Sequence, residues 1–529
     1  MSATDPAAQS PAPAAPAPIA PAPVAPAPLW AGAWLALLAP LYFLAPLAVF
    51  ALPALRRLPR AAWWVLGFYA LSQQLPALLT PEPLLNSGLA LARTLLMLGF
   101  MALGASLNST RQLAPLGVGL AVVYVTALGL SAADGLNPLS QRLGHPYMTP
   151  ITLGLAGAAG IWAALFAGGK LWWRLPLGTA ALGILLLSGS RGPLAAALVG
   201  TALGFAARQS RRVALGILAG AGLLAGGFSL GTRLDLPAIS RLSNADTSGR
   251  DLVWNNVLSV IRSEPVSGVG SYRLGARLSP LGEGCTLWPA PGGVTPCPAW
   301  IARLGQPWLI AHNVTLQGLA ESGPLGLTGL FVLLGVVAAA AWRQRDPLGL
   351  AVLSGLLVAT ANDNTLIVPG PFVGELFWVT AGGVLARMPA RSPAVGWAGG
   401  VAAAGLMAAL SFPLLVGTLR PAPPLAASLD ALIAPRELQD PANYQAFVRL
   451  NLPPGPYRVS LRACQRSCTT VLTVPVTAPT SGPTPLLKLG GSVYDAPEQR
   501  LELLVYPGRA SVRPQPLAQT AWVVTRRPK

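Results

Sequence analysis

A succession of long apolar runs limits this chain's fold more than any other feature. They lie at about 30–52, 61–80, 84–107, 113–131, 149–168, 175–188, 192–207, 213–230, 314–342, 347–361, 372–385 and 395–419. A membrane helix needs about 20 such residues, so the pattern predicts an all-α polytopic membrane protein with about twelve transmembrane helices. Composition agrees: 53% of residues are hydrophobic and 10% charged, against about 25% charged in soluble domains. In a soluble protein the net charge of +18 would point to nucleic acid. Here much of it flanks apolar runs and reads as topology, so no nucleic-acid partner is expected.

Basic residues gather in alternate turns, with Arg56, Arg57, Arg60, Arg111, Lys170, Arg174, Arg343, Arg345 and Arg387 on one side. The intervening turns hold Glu82, Asp134 with Arg142, Arg191 and Asp363. Positive-inside bias assigns the first set to the cytoplasm. Segment 231–311 and the tail from 420 then lie outside, and the same count puts the N-terminus outside. The resulting organisation is a Pro/Ala-rich tail (1–29), N-terminal helices (30–230), an extracytoplasmic loop (231–311), C-terminal helices (312–419) and a β-sandwich-like extracytoplasmic domain (420–529). The tail, "PAPAAPAPIAPAPVAPAP", has no apolar signal core and suits an extended polyproline conformation. In the last segment, short alternating runs such as "YRVSLRAC" and "QRLELLVY" carry the period of two that marks strands.

All four cysteines, Cys285, Cys297, Cys464 and Cys468, fall in the two segments assigned outside. Pairs form in oxidising compartments, so Cys285–Cys297 and Cys464–Cys468 disulfides are expected. Buried free thiols are the competing reading.

Few polar residues could carry chemistry. Arg191, in "SGSRGP", sits between two apolar runs, where a planar guanidinium among small residues suits phosphate oxygens; an interfacial arginine reaching for water is the plainer reading. Arg250 opens the amphipathic stretch "GRDLVWNNVLSVIRS", in a first helical turn where a cation is disfavoured unless an anion is near. A surface pairing with Asp246 or Asp251 competes. His312 is one of two histidines, and with Asn313 it stands where a polar loop becomes a long apolar run. The positive end of a helix disfavours imidazolium, so His312 reads either as a neutral base or as a residue capping its own helix. Arg93, Glu321 and Glu375 are secondary candidates, as sparse charges within apolar runs. Glu321 is placed too far along its helix to pair with His312.

Taken together, "SRG" around Arg191, "GRDLVW" and "EPVSGVG" between 249 and 270, and "HN" followed by "ESGPLG" between 312 and 326 resemble the O-antigen ligase and polymerase family. The likeness covers roughly 190–386 and leaves out the Pro/Ala tail and the β-rich end. It implies a GT-C-like membrane glycosyltransferase of the bacterial inner membrane, without metal or cofactor. Its donor would be a glycan on undecaprenyl diphosphate, and its acceptor a hydroxyl on a glycan, lipid or protein, with membrane lipid as its surroundings. It further implies Arg191 and Arg250 on the diphosphate and His312 as base. Polymerase activity, solute transport by a relative of the same superfamily, and an envelope sensor are the alternatives. Transport would be marked by inverted repeats.

Overall fold

The computed structural model describes residues 28–135, 142–168, 170–207, 250–278, 310–388, 427–465, 467–508 and 516–526. The apolar runs expected at 213–230 and 395–419, the Pro/Ala tail, Cys285 and Cys297 lie outside these residues. What is described is mostly helical, followed by a C-terminal β region.

The helices are α1 (Leu29–Leu38), α2 (Arg60–Leu78), α3 (Pro83–Ala105), α4 (Leu116–Ala133), α5 (Pro150–Phe166), α6 (Leu171–Leu187) and α7 (Arg191–Ala206). They continue as α8 (Arg250–Ser263), α9 (Leu274–Leu278), α10 (Val314–Gln344), α11 (Pro347–Ala359) and α12 (Val373–Ala386). Among the described residues, three helical stretches are long and apolar enough to cross a membrane: Pro83–Ala105, Thr110–Ala133 and Val314–Gln344. Six more are apolar but shorter.

Helices are packed closely through glycine. A Cβ on Gly104 would lie 1.8 Å from the Val379 carbonyl oxygen, and one on Gly382 would lie 1.9 Å from that of Met101. α3 and α12 therefore touch backbone to backbone, as small residues allow in membrane bundles. The buried core joins Phe100, Leu120, Trp162, Leu334, Phe377 and Trp378 in one cluster.

The bundle has two chemically distinct ends. At one, the Arg57 guanidinium donates to the Ser106 carbonyl at 2.8 Å. At that same end Asp346 receives Arg387 at 2.7 Å and Thr110 at 2.6 Å. At the other lie the turns holding Arg142, Arg191, His312 and Asp363.

The first apolar run departs from its expected form. It breaks at 39–41 and returns as a 3₁₀ helix, Tyr42–Arg57, containing Pro46 and Pro53; each proline removes a donor from an α-helical ladder. Gly32 of α1 lies beside Pro115 and Gly119 against Ala36, while Tyr42 hydrogen-bonds to the Tyr147 carbonyl at 3.3 Å. α1 thus begins at the Arg57 end, opposite to the side that the count of alternating turns gives the N-terminus.

α10 is kinked at Gly323, whose φ is 61°. Pro324 has no N–H for the carbonyl of Ala320, and the kink releases that of Glu321. Both are taken up by the loop after α8: Val269 N–H donates to Ala320 at 2.8 Å and Gly270 N–H to Glu321 at 2.9 Å. Gly268 and Gly270 have φ of 65° and 98°, which only glycine adopts without cost. "EPVSGVG" and "ESGPLG" are two halves of one backbone joint.

The β region has eight strands: β1 (Ser428–Ile433), β2 (Glu437–Leu438), β3 (Tyr444–Asn451), β4 (Gly455–Cys464), β5 (Cys468–Ala478), β6 (Leu487–Gly491), β7 (Glu498–Pro507) and β8 (Ala518–Arg526). They form a three-stranded sheet, β1-β3-β6, and a five-stranded sheet, β2-β8-β7-β4-β5. All pairs are antiparallel except β2–β8. One core, including Val448, Leu461, Leu489, Leu503 and Trp522, joins both sheets. Cys464 and Cys468 form a disulfide across the β4–β5 turn.

Candidate functional site

His312 does not cap its helix. Asn313 does, its side-chain oxygen accepting from Leu316 N–H at 3.0 Å, as asparagine at an N-cap should. The Asn313 amide also donates to the Ala361 carbonyl at 3.0 Å, and Val314 N–H to that of Thr360 at 3.1 Å. These bonds tie the start of α10 to the end of α11. Two residues further along that turn is Asp363, whose Oδ1 lies 3.1 Å from His312 Nδ1.

His312 has φ of 49°, a left-handed conformation that costs a non-glycine residue on the order of 1–3 kcal/mol unless its neighbours hold it. Both flanks do so. Ala311 N–H donates to the Gln317 side chain at 2.8 Å, and the Ala311 carbonyl accepts from Trp254 Nε1 at 3.0 Å. Gln317 Oε1 also receives the Asn364 amide at 2.8 Å.

Burial alone would raise the Asp363 carboxyl pKa. The His312 hydrogen bond and charge, the Asn364 N–H and the Arg250 charge outweigh it and hold that pKa below the usual carboxylate value. An ionised carboxylate only accepts, so Nδ1 is the nitrogen that donates to it, and in the neutral imidazole Nε2 is then the one that carries the lone pair. The imidazole is about one-third exposed, and Asp363 is less so.

Three guanidiniums share this neighbourhood. Arg191 is the first residue of α7, after a turn in which Gly189 has φ of 56° and Ser190 bonds to the Ser188 carbonyl at 3.1 Å. Arg142 lies across the same turn, 3.5 Å from the Gly189 carbonyl. Arg250 begins α8. Burial lowers the Arg250 pKa, and the charges of Arg191 and Arg142 push the same way, against the pull of Asp363. Among the described residues, Arg191, Arg142 and Asp363 all act on Arg250, so three guanidiniums meet at this end. Such a group of arginines has the chemistry to receive an anion. Neither Asp363 nor Arg142 was singled out by sequence as a site residue; both served there only to mark a turn.

The secondary candidates are placed elsewhere. Arg93 and Glu321 form a buried ion pair with each other at 2.6 Å, beneath the Tyr272 ring at 4.1 Å from the Arg93 guanidinium. Glu375 is fully buried and accepts from Gly370 N–H at 2.5 Å, holding the loop before α12. His145 accepts from Tyr147 N–H at 3.2 Å, in the turn that follows Arg142. Among the described residues, the one group with metal-ligand geometry is Cys464, Cys468 and Glu502, where both sulfurs are already in the disulfide.

The fold is that of a mostly helical protein of membrane type, with a cluster of arginines at one end of the bundle. Residues 176–331 match the O-antigen ligase family model. That segment, which holds Arg191, Arg250 and His312, is thus similar to the O-antigen ligase family, in agreement with its motifs. No curated protein matches the chain.

Proposed function

We propose that the protein transfers a glycan from undecaprenyl diphosphate to an acceptor hydroxyl at the outer face of the bacterial inner membrane. His312 Nε2 removes the acceptor proton, and the acceptor oxygen attacks the anomeric carbon. The bond from that carbon to the diphosphate oxygen breaks, and the diphosphate leaves on its lipid. Arg191, Arg250 and Arg142 hold the charge that develops on it. Three guanidiniums supply the positive charge that a divalent cation would otherwise bring, so the reaction needs no metal. Asp363 fixes the imidazole tautomer, as a carboxylate does for a catalytic histidine.

The observation that carries this reading is the His312–Asp363 bond at the end of the bundle where the three arginines meet. Transfer fits better than transport because the charges deep in the bundle, Arg93 and Glu321, neutralise each other. The division into two helical segments, an outer loop and an outer β domain belongs to the same proposal.

The test is transfer of lipid-linked glycan by membranes carrying equal amounts of each variant. Arg191→Lys should lose most activity, because a compact ammonium cannot reproduce a two-pronged contact with diphosphate. Arg250→Ala should raise the donor KM. Normal transfer by both variants would place the diphosphate elsewhere. A reporter fused after Arg526 should read as extracytoplasmic, and a cytoplasmic signal would overturn the sidedness.

A further inference from the structure

The β region rests on the helix that carries Arg250, and α8 has two faces. Trp254, Val257, Leu258 and Val260 pack against Ala311, Leu316 and Ala320 beside His312. The opposite face presents Asn255, Asn256 and Ser259 to the β sheet. The Asn255 amide donates to the Tyr506 hydroxyl at 2.7 Å, the Thr470 hydroxyl to Asn256 Oδ1 at 3.1 Å, and Cys468 N–H to Ser259 Oγ at 3.0 Å. Thr469 adds a bond to the Leu278 carbonyl at the end of α9.

This seam is specific in a way that a chance contact is not. Three polar residues on one face of α8, Asn255, Asn256 and Ser259, each meet a matching group, from β5 or from Tyr506 of β7. A helix is stiff over this length, so fixing Asn255, Asn256 and Ser259 also fixes its first residue, Arg250. α8 is thus gripped between the α10 joint and the β sheet. Trp254, bonded to Ala311, carries the register to the residue next to His312.

We propose that the C-terminal β region is the positioning element for Arg250: it clamps α8 so that donor-diphosphate affinity depends on a domain distant in sequence from the site. The proposal rests on the donor role given to Arg250 above. It separates two functions. Loosening the seam should weaken donor binding and leave proton removal by His312 unchanged, since Trp254 lies on the face of α8 away from the seam and Asn313, Gln317 and Asp363 also hold the His312 turn.

The experiment uses the full-length chain in native-like membranes, with the double variant Tyr506→Phe, Thr470→Val. Each change removes a hydroxyl at nearly constant volume. Donor KM, acceptor KM, kcat and the pH profile of kcat are measured, alone and in the Arg250→Ala background. We expect a rise of about tenfold in donor KM, the size of two lost hydrogen bonds, with kcat, its pH profile and acceptor KM unchanged. With Arg250 already removed, the seam changes should have no further effect. Thermal unfolding with and without inorganic pyrophosphate gives a second readout, in which the stabilisation by pyrophosphate should shrink in the seam variant.

A seam effect that persists fully without Arg250, or that raises only the acceptor KM, would overturn the clamp. So would an unchanged donor KM in a seam variant while Arg250→Ala is impaired. If Arg250→Ala itself has a normal donor KM, the site reading fails as well, and the two failures are thereby told apart. Should the double variant not accumulate, Tyr506→Phe alone, which leaves the sheet core intact, carries the same comparison with an effect of about threefold.

Discussion

His312 Nδ1 lies 3.1 Å from Asp363 Oδ1, a bond between residues on separate turns that α10 and α11 bring to one end of the bundle. Its consequence is a fixed tautomer. Asp363→Asn keeps the size of the side chain but can present an N–H to Nδ1, turning the lone pair inward. Transfer should fall by about 10²-fold or more, with donor KM little changed.

The same carboxylate has an acid signature. Its folded pKa is depressed, so the stability it confers is fully present above the ordinary aspartate value of about 3.9. That stability is lost as pH falls through the lower folded value. Asp363→Asn should therefore be less stable than wild type at neutral pH, with the gap closing below about pH 4. A gap in thermal midpoint that stays constant down to pH 2 would contradict the linkage.

Arg142 is the third cation of the proposed site, exposed in the segment before α5 and reaching the Gly189 carbonyl in the turn that precedes Arg191. Arg142→Ala should raise donor KM and flatten the salt dependence of donor binding, because one charge contact with the diphosphate is gone. Arg142→Lys should restore much of the salt dependence but less of the affinity. An unaltered donor KM in Arg142→Ala would remove it from the site.

The bundle and the β strands were legible in the sequence because period and length report burial directly. Six of the eight strands match alternating runs; Ser428–Ile433 and Glu437–Leu438 do not, being edge strands without a clean pattern. The site was half legible. Arg191, Arg250 and His312 stood out because charge is rare here, and the structure brings them to one end. Asp363 did not, since its partner is 51 residues away in sequence and nothing in a single chain links them. A lone acid in the polar turn "ANDNT" was the available signal. The first apolar run misled for a related reason: hydropathy measures length, and a break at 39–41 leaves the run just as apolar.

Arg93 and Glu321 are structural partners. Breaking this buried pair from one side should cost about 3–5 kcal/mol, so Arg93→Leu should unfold at markedly lower temperature. The double change Arg93→Leu, Glu321→Leu should recover much of the loss. A stable, inactive Arg93→Leu protein would instead assign the arginine to the chemistry.

The central claim is that His312 is the base, and its removal from purified, reconstituted protein tests it most directly. The expected outcome is that His312→Ala inserts and binds the lipid-linked donor with wild-type affinity, yet transfers about 10²–10⁴-fold more slowly, while His145→Ala in the neighbouring turn stays active. Transfer by His312→Ala within a few-fold of wild type would show that this histidine only fills a strained position at the head of α10, and the mechanism would be wrong.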